Sequence, residues 1–311
     1  MATATATTAP PPTAAPADHD DETRLAYLAR QASPCLLTPK AFFVSWQGVI
    51  TLAYEGFPPQ LAQLKAALTD AHGNDGALPK ESPGSRWPKS SIGCVRDGKR
   101  LTPEQLELLL RACKEESAAL FGGGGDDAGA SAAAASSAPA TATSSPLQVA
   151  VRNLSVLTYE CRSLERVIAR QRMPLLAGGG GAAGGINSST KGAEVDSSPP
   201  SEEERGRVDS VLAESDAPDY WVHASRDGGR EAHYRGVAPG VTLVHELGLV
   251  GGGGGGGGAS GGADNAADAE ARLRLLEAVR RFRARVDRDL PGVYAWFGDA
   301  SLHVTVRAII V

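Results

Sequence analysis

Ser301-Leu302-His303-Val304-Thr305-Val306-Arg307-Ala308-Ile309 alternates apolar and polar residues. A strand has a side-chain period of two. The pattern therefore predicts a strand with Leu302, Val304 and Val306 on one face and His303, Thr305 and Arg307 on the other. An imidazole, a hydroxyl and a guanidinium in one row can hold a phosphate or move a proton. An edge strand with a wet face gives the same pattern. A chemical reading therefore needs a partner strand elsewhere in the chain.

Working outward, Val293-Tyr294-Ala295-Trp296-Phe297 reads as a strand and Gly298-Asp299 as its turn. Before them Ala271 to Leu290 carries Leu275, Leu276, Val279, Phe282, Val286 and Leu290 at helical spacing. Seven arginines surround that stripe, from Arg272 to Arg288, as a solvated face does. Tyr220 to His223 and Val241 to His245 are further strand candidates. Leu147 to Leu157 alternates as a strand, and Ser163 to Arg172 suits a short helix.

The first half repeats this order. Phe42 to Trp46 and Gly48 to Tyr54 are strand material, and Pro59 opens a helix carrying Leu61, Leu64 and Leu68. A Pro/Gly loop then leads through Trp87 to a short strand in which Lys89, Ser91 and Gly93 share a face. Thr102-Pro103-Glu104-Gln105 is a capping box at the start of a helix with Leu106, Leu109, Leu110 and Cys113 on its buried stripe. Lys89-Ser90-Ser91-Ile92 thus answers His303-Val304-Thr305-Val306. Each strand puts a basic residue two positions from a hydroxyl on one face.

Long tracts interrupt these elements. Residues 1–24 are expected to be a disordered segment. Residues 25–311 are read as one domain with low-complexity inserts at 122–145, 178–206 and 251–267. Such Ala, Ser and Gly tracts bury too little apolar surface to offset their ordering entropy. The remaining length, roughly 200 residues, suffices for one sizeable core.

With 36 acidic against 31 basic residues, the net charge of −5 argues against a protein that coats nucleic acid. The cysteines, Cys35, Cys94, Cys113 and Cys161, have no CxxC spacing. This points to free thiols in a reduced compartment and away from a zinc site. A cytoplasmic location is expected. An organelle is the alternative, from the Ala/Thr-rich start. No apolar run has the length of a membrane span. Gly84 to Ser90 lacks the glycine that a P-loop needs before its lysine, and His245-Glu246 lacks the second histidine of a zinc-protease motif. Neither a cofactor nor a metal is expected.

The paired strands resemble the 2H phosphoesterases, the RNA 2′,3′-cyclic phosphodiesterases and 2′-5′ RNA ligase-like proteins. Leu302-His303-Val304-Thr305-Val306 is similar to one His-x-Thr motif, and Pro88 to Leu106 resembles the other motif and the helix after it. The resemblance implies an α+β fold of two similar lobes of antiparallel sheet, with flanking helices and a central cleft. It implies His303 as acid or base, with Thr305 and Ser91 as phosphate contacts. In the other histidine position this chain has Lys89.

Imidazole titrates near neutral pH, whereas lysine ordinarily does so near 10.4. Lys89 would act as a base only if burial lowered its pKa, and otherwise as a fixed charge on the phosphate. Strand geometry adds Arg307 as a phosphate contact. Trp87 is a candidate for stacking on a base, and Ser90 for touching substrate. The expectation is a metal-independent phosphodiesterase acting on a nucleotide or RNA end as a monomer. The alternative is a relative that only binds a phosphorylated ligand, RNA or a protein.

Overall fold

The computed structural model describes residues 20–73, 81, 83–121, 147–176, 194–248 and 266–310. In the first half lie α1 (Asp20–Gln31), β1 (Cys35–Leu37), β2 (Pro39–Val44), β3 (Ile50–Tyr54), α2 (Pro59–Gly73), β4 (Lys89–Val95) and α3 (Pro103–Phe121). Then follow β5 (Val149–Val151), β6 (Asn153–Tyr159), β7 (Val167–Pro174), α4 (Glu202–Ala213), α5 (Tyr220–Ala224) and α6 (Glu231–Arg235). The last elements are β8 (Gly240–Glu246), α7 (Ala266–Asp289), β9 (Tyr294–Trp296) and β10 (His303–Ile310).

These strands build an α+β fold on two four-stranded antiparallel sheets. The first has the order β2-β3-β4-β9 and the second β10-β8-β6-β7, while β1 and β5 pair separately. The first sheet is not made by the first half alone. Its edge strand β9 comes from the far end of the chain and pairs Trp296 with Gly93 and Tyr294 with Val95. A Cβ on Gly93 would lie 2.5 Å from the Trp296 ring, so glycine is what lets that ring lie on β4.

One apolar cluster reaches both sheets, including Leu52 and Ile92 of the first, Leu154, Leu243 and Val304 of the second, and Phe282 of α7. Phe42 stacks on Phe282 at 4.4 Å. Four arginines of α7 are paired: Arg280 and Arg283 with Asp299, Arg281 and Arg285 with Glu116 of α3.

The capping box at α3 forms as expected. The Gln105 amide donates to Thr102 Oγ1 at 3.2 Å, and the Thr102 amide donates to Gln105 Oε1 at 3.0 Å. Thr102→Ala is expected to cost about 1 kcal/mol of stability, read as a lower thermal midpoint. An unchanged midpoint would mean that the box contributes nothing.

Several elements differ from the expectation. Tyr220 to His223 is the helix α5 and not a strand, because Tyr220 and Ala224 are both buried, four residues apart on one helical face. The helix expected over Ser163 to Arg172 is instead a turn at Leu164, with φ of 56°, followed by β7. As an edge strand β7 carries the polar side chains that suggested a helix. The insert placed at 178–206 extends too far, since α4 begins at Glu202 with Ser201 capping it at the Glu204 amide. The 1–24 segment likewise overlaps α1, and the 251–267 tract overlaps the start of α7. Residues 1–19, 122–145, 178–193 and 251–265 lie outside the described residues. No helix among the described residues is long and apolar enough to cross a membrane.

Candidate functional site

The two motif strands are neighbours, β10 lying against β4. Their polar groups nevertheless open onto different cavities. Lys89 lines one of about 440 Å³ and His303 a separate one of about 10 Å³.

Lys89 stands at the start of β4, opposite Ala53. Its ammonium lies 4.2 Å from the centre of the Trp87 ring and donates to the Gly84 carbonyl. Burial, and then the nearby Lys65 charge, push its pKa down to about 8. The amine thus carries its proton weakly for a lysine. Around it the cavity is walled by Phe43, Trp46 and Trp87. Arg86 and Arg207 also line it. Arg86 makes no side-chain hydrogen bond or ion pair among the described residues, whereas Arg207 is held by Glu203 at 2.8 Å and by Glu204. Trp46 is 55% exposed, with its indole N–H donated to Glu214 at 3.1 Å and its ring stacked on His223 at 5.3 Å.

The other first-motif residues are committed elsewhere. Ser90 points to the opposite face of β4, is 1% exposed and is hydrogen-bonded to the Tyr54 hydroxyl at 3.1 Å. It cannot touch a ligand beside Lys89. Ser91 does share the Lys89 face, but its hydroxyl is hydrogen-bonded to Tyr234. Trp87 lines the Lys89 cavity but is only 7% exposed, with the Lys89 ammonium near its ring.

His303 faces Glu246 across the β10–β8 pair. Its Nδ1 lies 2.7 Å from the Ser301 carbonyl, so that nitrogen donates and Nε2 is left as the acceptor. Burial lowers its pKa. Glu246 is itself held by the Ser155 hydroxyl at 2.6 Å and by Arg170 at 3.0 Å. A cavity of about 10 Å³ holds on the order of one water. A ribose phosphate does not fit there.

The predicted row of three polar groups is broken by a β-bulge. Thr305 pairs with Val244 and Arg307 with the next residue, Leu243, so Val306 is the additional one. A bulge interrupts the alternation of faces. His303 and Thr305 remain half-buried together, while Arg307 is buried to 4% exposure beside Val304 and Val306. Its guanidinium lies 3.7 Å from Glu81. Glu81 also pairs with Lys65, whose ammonium donates to the Val306 carbonyl at 2.7 Å. Arg307 thus braces the bulge and is not a phosphate contact on the His303 face.

The space expected to be a cleft between the sheets is bridged by Ser201 to Arg235. Tyr220 donates to the Val44 carbonyl at 2.5 Å, and Arg207 to the Arg86 carbonyl at 3.3 Å. Arg235 pairs with Glu165 at the β6–β7 turn and donates to the Trp296 carbonyl at 2.7 Å. This segment supplies Arg207, Val211 and Glu214 to the Lys89 cavity. Sequence reasoning missed Arg207 because part of its helix was counted as insert. Arg86 could have been found, since it adjoins the Trp87 and Lys89 already chosen.

Among the described residues no group of three or more His, Cys, Asp or Glu side chains is placed to hold a metal ion. No protein-family model, curated protein or solved structure matches the chain.

Proposed function

We propose that this protein binds a phosphate-bearing ligand with a flat group, of nucleotide type, in the Lys89 cavity. The observation that carries the reading is the half-buried Lys89 ammonium set among the Phe43, Trp46 and Trp87 rings. Cations hold phosphate, and of these rings the 55% exposed Trp46 is the one that can stack on a base, Phe43 and Trp87 being buried. Arg86 adds a second charge with no competing side-chain partner among the described residues. The volume of about 440 Å³ lies in the range of small-molecule sites. In this reading the chain is a ligand-binding relative of the 2H phosphoesterases.

The test is a titration of the protein, in EDTA, with AMP and with a nucleoside 2′,3′-cyclic phosphate, followed by tryptophan fluorescence and calorimetry. Saturable quenching is expected for at least one of them. No heat and no quenching at millimolar ligand would sink the proposal.

A hydrolytic role has one observation in its favour. A lysine with a pKa of about 8 exchanges its proton close to neutral pH, as a general acid or base must. Turnover of the cyclic phosphate in EDTA would then fall by about 10²-fold or more in Lys89→Ala. It would be nearly unchanged in His303→Ala, because His303 lines a different cavity. Equal loss in both variants would restore the two-residue mechanism that the motifs suggest.

A further inference from the structure

The Lys89 cavity is charged differently at its two ends. The helix α4 and the residue that ends it run along one wall and contribute Arg207, Val211 and Glu214. These positions are four and then three residues apart, so they share one helical face. Glu214 keeps helical backbone angles, with φ of −58° and ψ of −30°. A helical rise of about 1.5 Å per residue sets Arg207 and Glu214 about 10 Å apart along the axis.

Arg207 marks the cationic end. Its Nη1 donates to the Arg86 carbonyl at 3.3 Å, which holds the Gly84-to-Lys89 loop against this part of the helix. That loop brings the Lys89 ammonium and the Arg86 side chain to the cavity. Glu214 marks the other end, beside Trp46. Its Oε2 accepts the indole N–H at 3.1 Å, while its Oε1 has no hydrogen bond or ion pair among the described residues. The residue is exposed, so this oxygen is open to a ligand. One face of the Trp46 ring is covered by His223 at 5.3 Å, which leaves the other for a flat group.

A carboxylate repels phosphate, so Glu214 serves a different part of the ligand. An extended mononucleotide has a length comparable with the spacing of the two ends. With its phosphate on Lys89 and Arg86 and its base on Trp46, it turns the edge of the base to Glu214. The bases differ in what that edge offers. Guanine carries two adjacent donors, N1–H and the N2 amino group, and a carboxylate only accepts. With about four lone-pair sites, the carboxylate has room for both donors besides the Trp46 bond. In adenine and cytosine the amino group adjoins a ring nitrogen whose lone pair the carboxylate repels, and uracil has one N–H between two carbonyls. We propose that the Lys89 cavity selects guanine nucleotides, with Glu214 reading the N1–H and N2–H edge of the base. This rests on the function proposed for the cavity and adds the base that it takes.

The experiment is calorimetry of the protein at pH 7, in EDTA, with GMP, IMP, AMP and UMP. GMP is expected to bind about 10-fold more tightly than AMP or UMP, the worth of one hydrogen bond to a charged group. IMP keeps N1–H but lacks the N2 amino group, and should fall between them. Glu214→Gln retains an oxygen for the Trp46 indole but sets an amide N–H against the guanine donors. It should bring GMP down to the affinity of AMP. Lys89→Ala should weaken GMP and AMP alike, because it acts on the phosphate. Equal binding of the four nucleotides, tightest binding of another base, or a guanine preference that survives Glu214→Gln would overturn the selection of guanine and leave the phosphate site standing. Absence of binding by all four would overturn the site itself, and the selection with it.

Discussion

Replacing Lys89 with alanine is expected to lower the affinity for a nucleotide-type ligand by about 10- to 100-fold, since a charge-assisted bond to phosphate is worth about 1.5–3 kcal/mol. The change removes the ammonium that faces the cavity and also the cation over the Trp87 ring. The pH dependence follows from the pKa of about 8. Below that value the amine is a cation and attracts the anion. Above it the charge is lost, so affinity should fall as pH rises past about 8, well before an ordinary lysine would titrate. Bound phosphate stabilises the cation and moves the fall somewhat higher. Lys89→Arg keeps its charge throughout and should abolish the alkaline fall. Flat binding from pH 7 to 10 in the unaltered protein would contradict the role of Lys89.

Phe282→Ala should be the most destabilising of the changes considered. The Phe282 side chain is fully buried and stacks on Phe42 of the first sheet at 4.4 Å with the rings 6° from parallel. Its loss removes the transfer energy of a ring and leaves a cavity, together about 3–5 kcal/mol. The helix α7 would keep its other buried contacts, Leu275, Leu276, Val279 and Val286, in the same apolar cluster. In urea the midpoint should fall at nearly constant slope. A cost below ~1 kcal/mol would show that the site collapses onto the gap and that packing there is not tight.

Much of the framework was legible in the chain. The alternation in β10, the aromatic and β-branched residues of β2 and β3, the capping box before α3 and the apolar stripe of α7 are all local patterns, which a sequence carries openly. The candidate site was legible only in part. Lys89 and Trp87 were singled out because a basic residue and an indole next to a polar-faced strand form a local pattern, and both line one cavity. Arg307 was misplaced because a bulge is decided by the partner strand: one additional residue at Val306 moves the guanidinium to the Glu81 side. The position of Ser91 was right, but its hydroxyl is claimed by Tyr234, over a hundred residues away. Arg207 lay in a stretch whose polar composition hid a helix that packs by one side, with Val208 as its buried apolar contact. His245 entered the sequence reading only in an incomplete zinc-protease pattern, because only the fold brings Arg272 and Arg172 near it.

The origin of β9 bears on how the protein is made. Residues 93–95 of β4 are paired by residues 294–296, so roughly 200 residues must be synthesised before that edge is closed. At about 5–20 residues per second this is on the order of 10–40 s. During that interval a nascent chain presents unpaired amide and carbonyl groups along Gly93-Cys94-Val95, the kind of margin that invites strand addition from another chain. Closing the first sheet is therefore also a proofreading step. A polypeptide that stops short of β9 keeps an adhesive edge and remains marked for chaperones or proteases. In the folded protein, by contrast, residues 294–296 of β9 cover that edge.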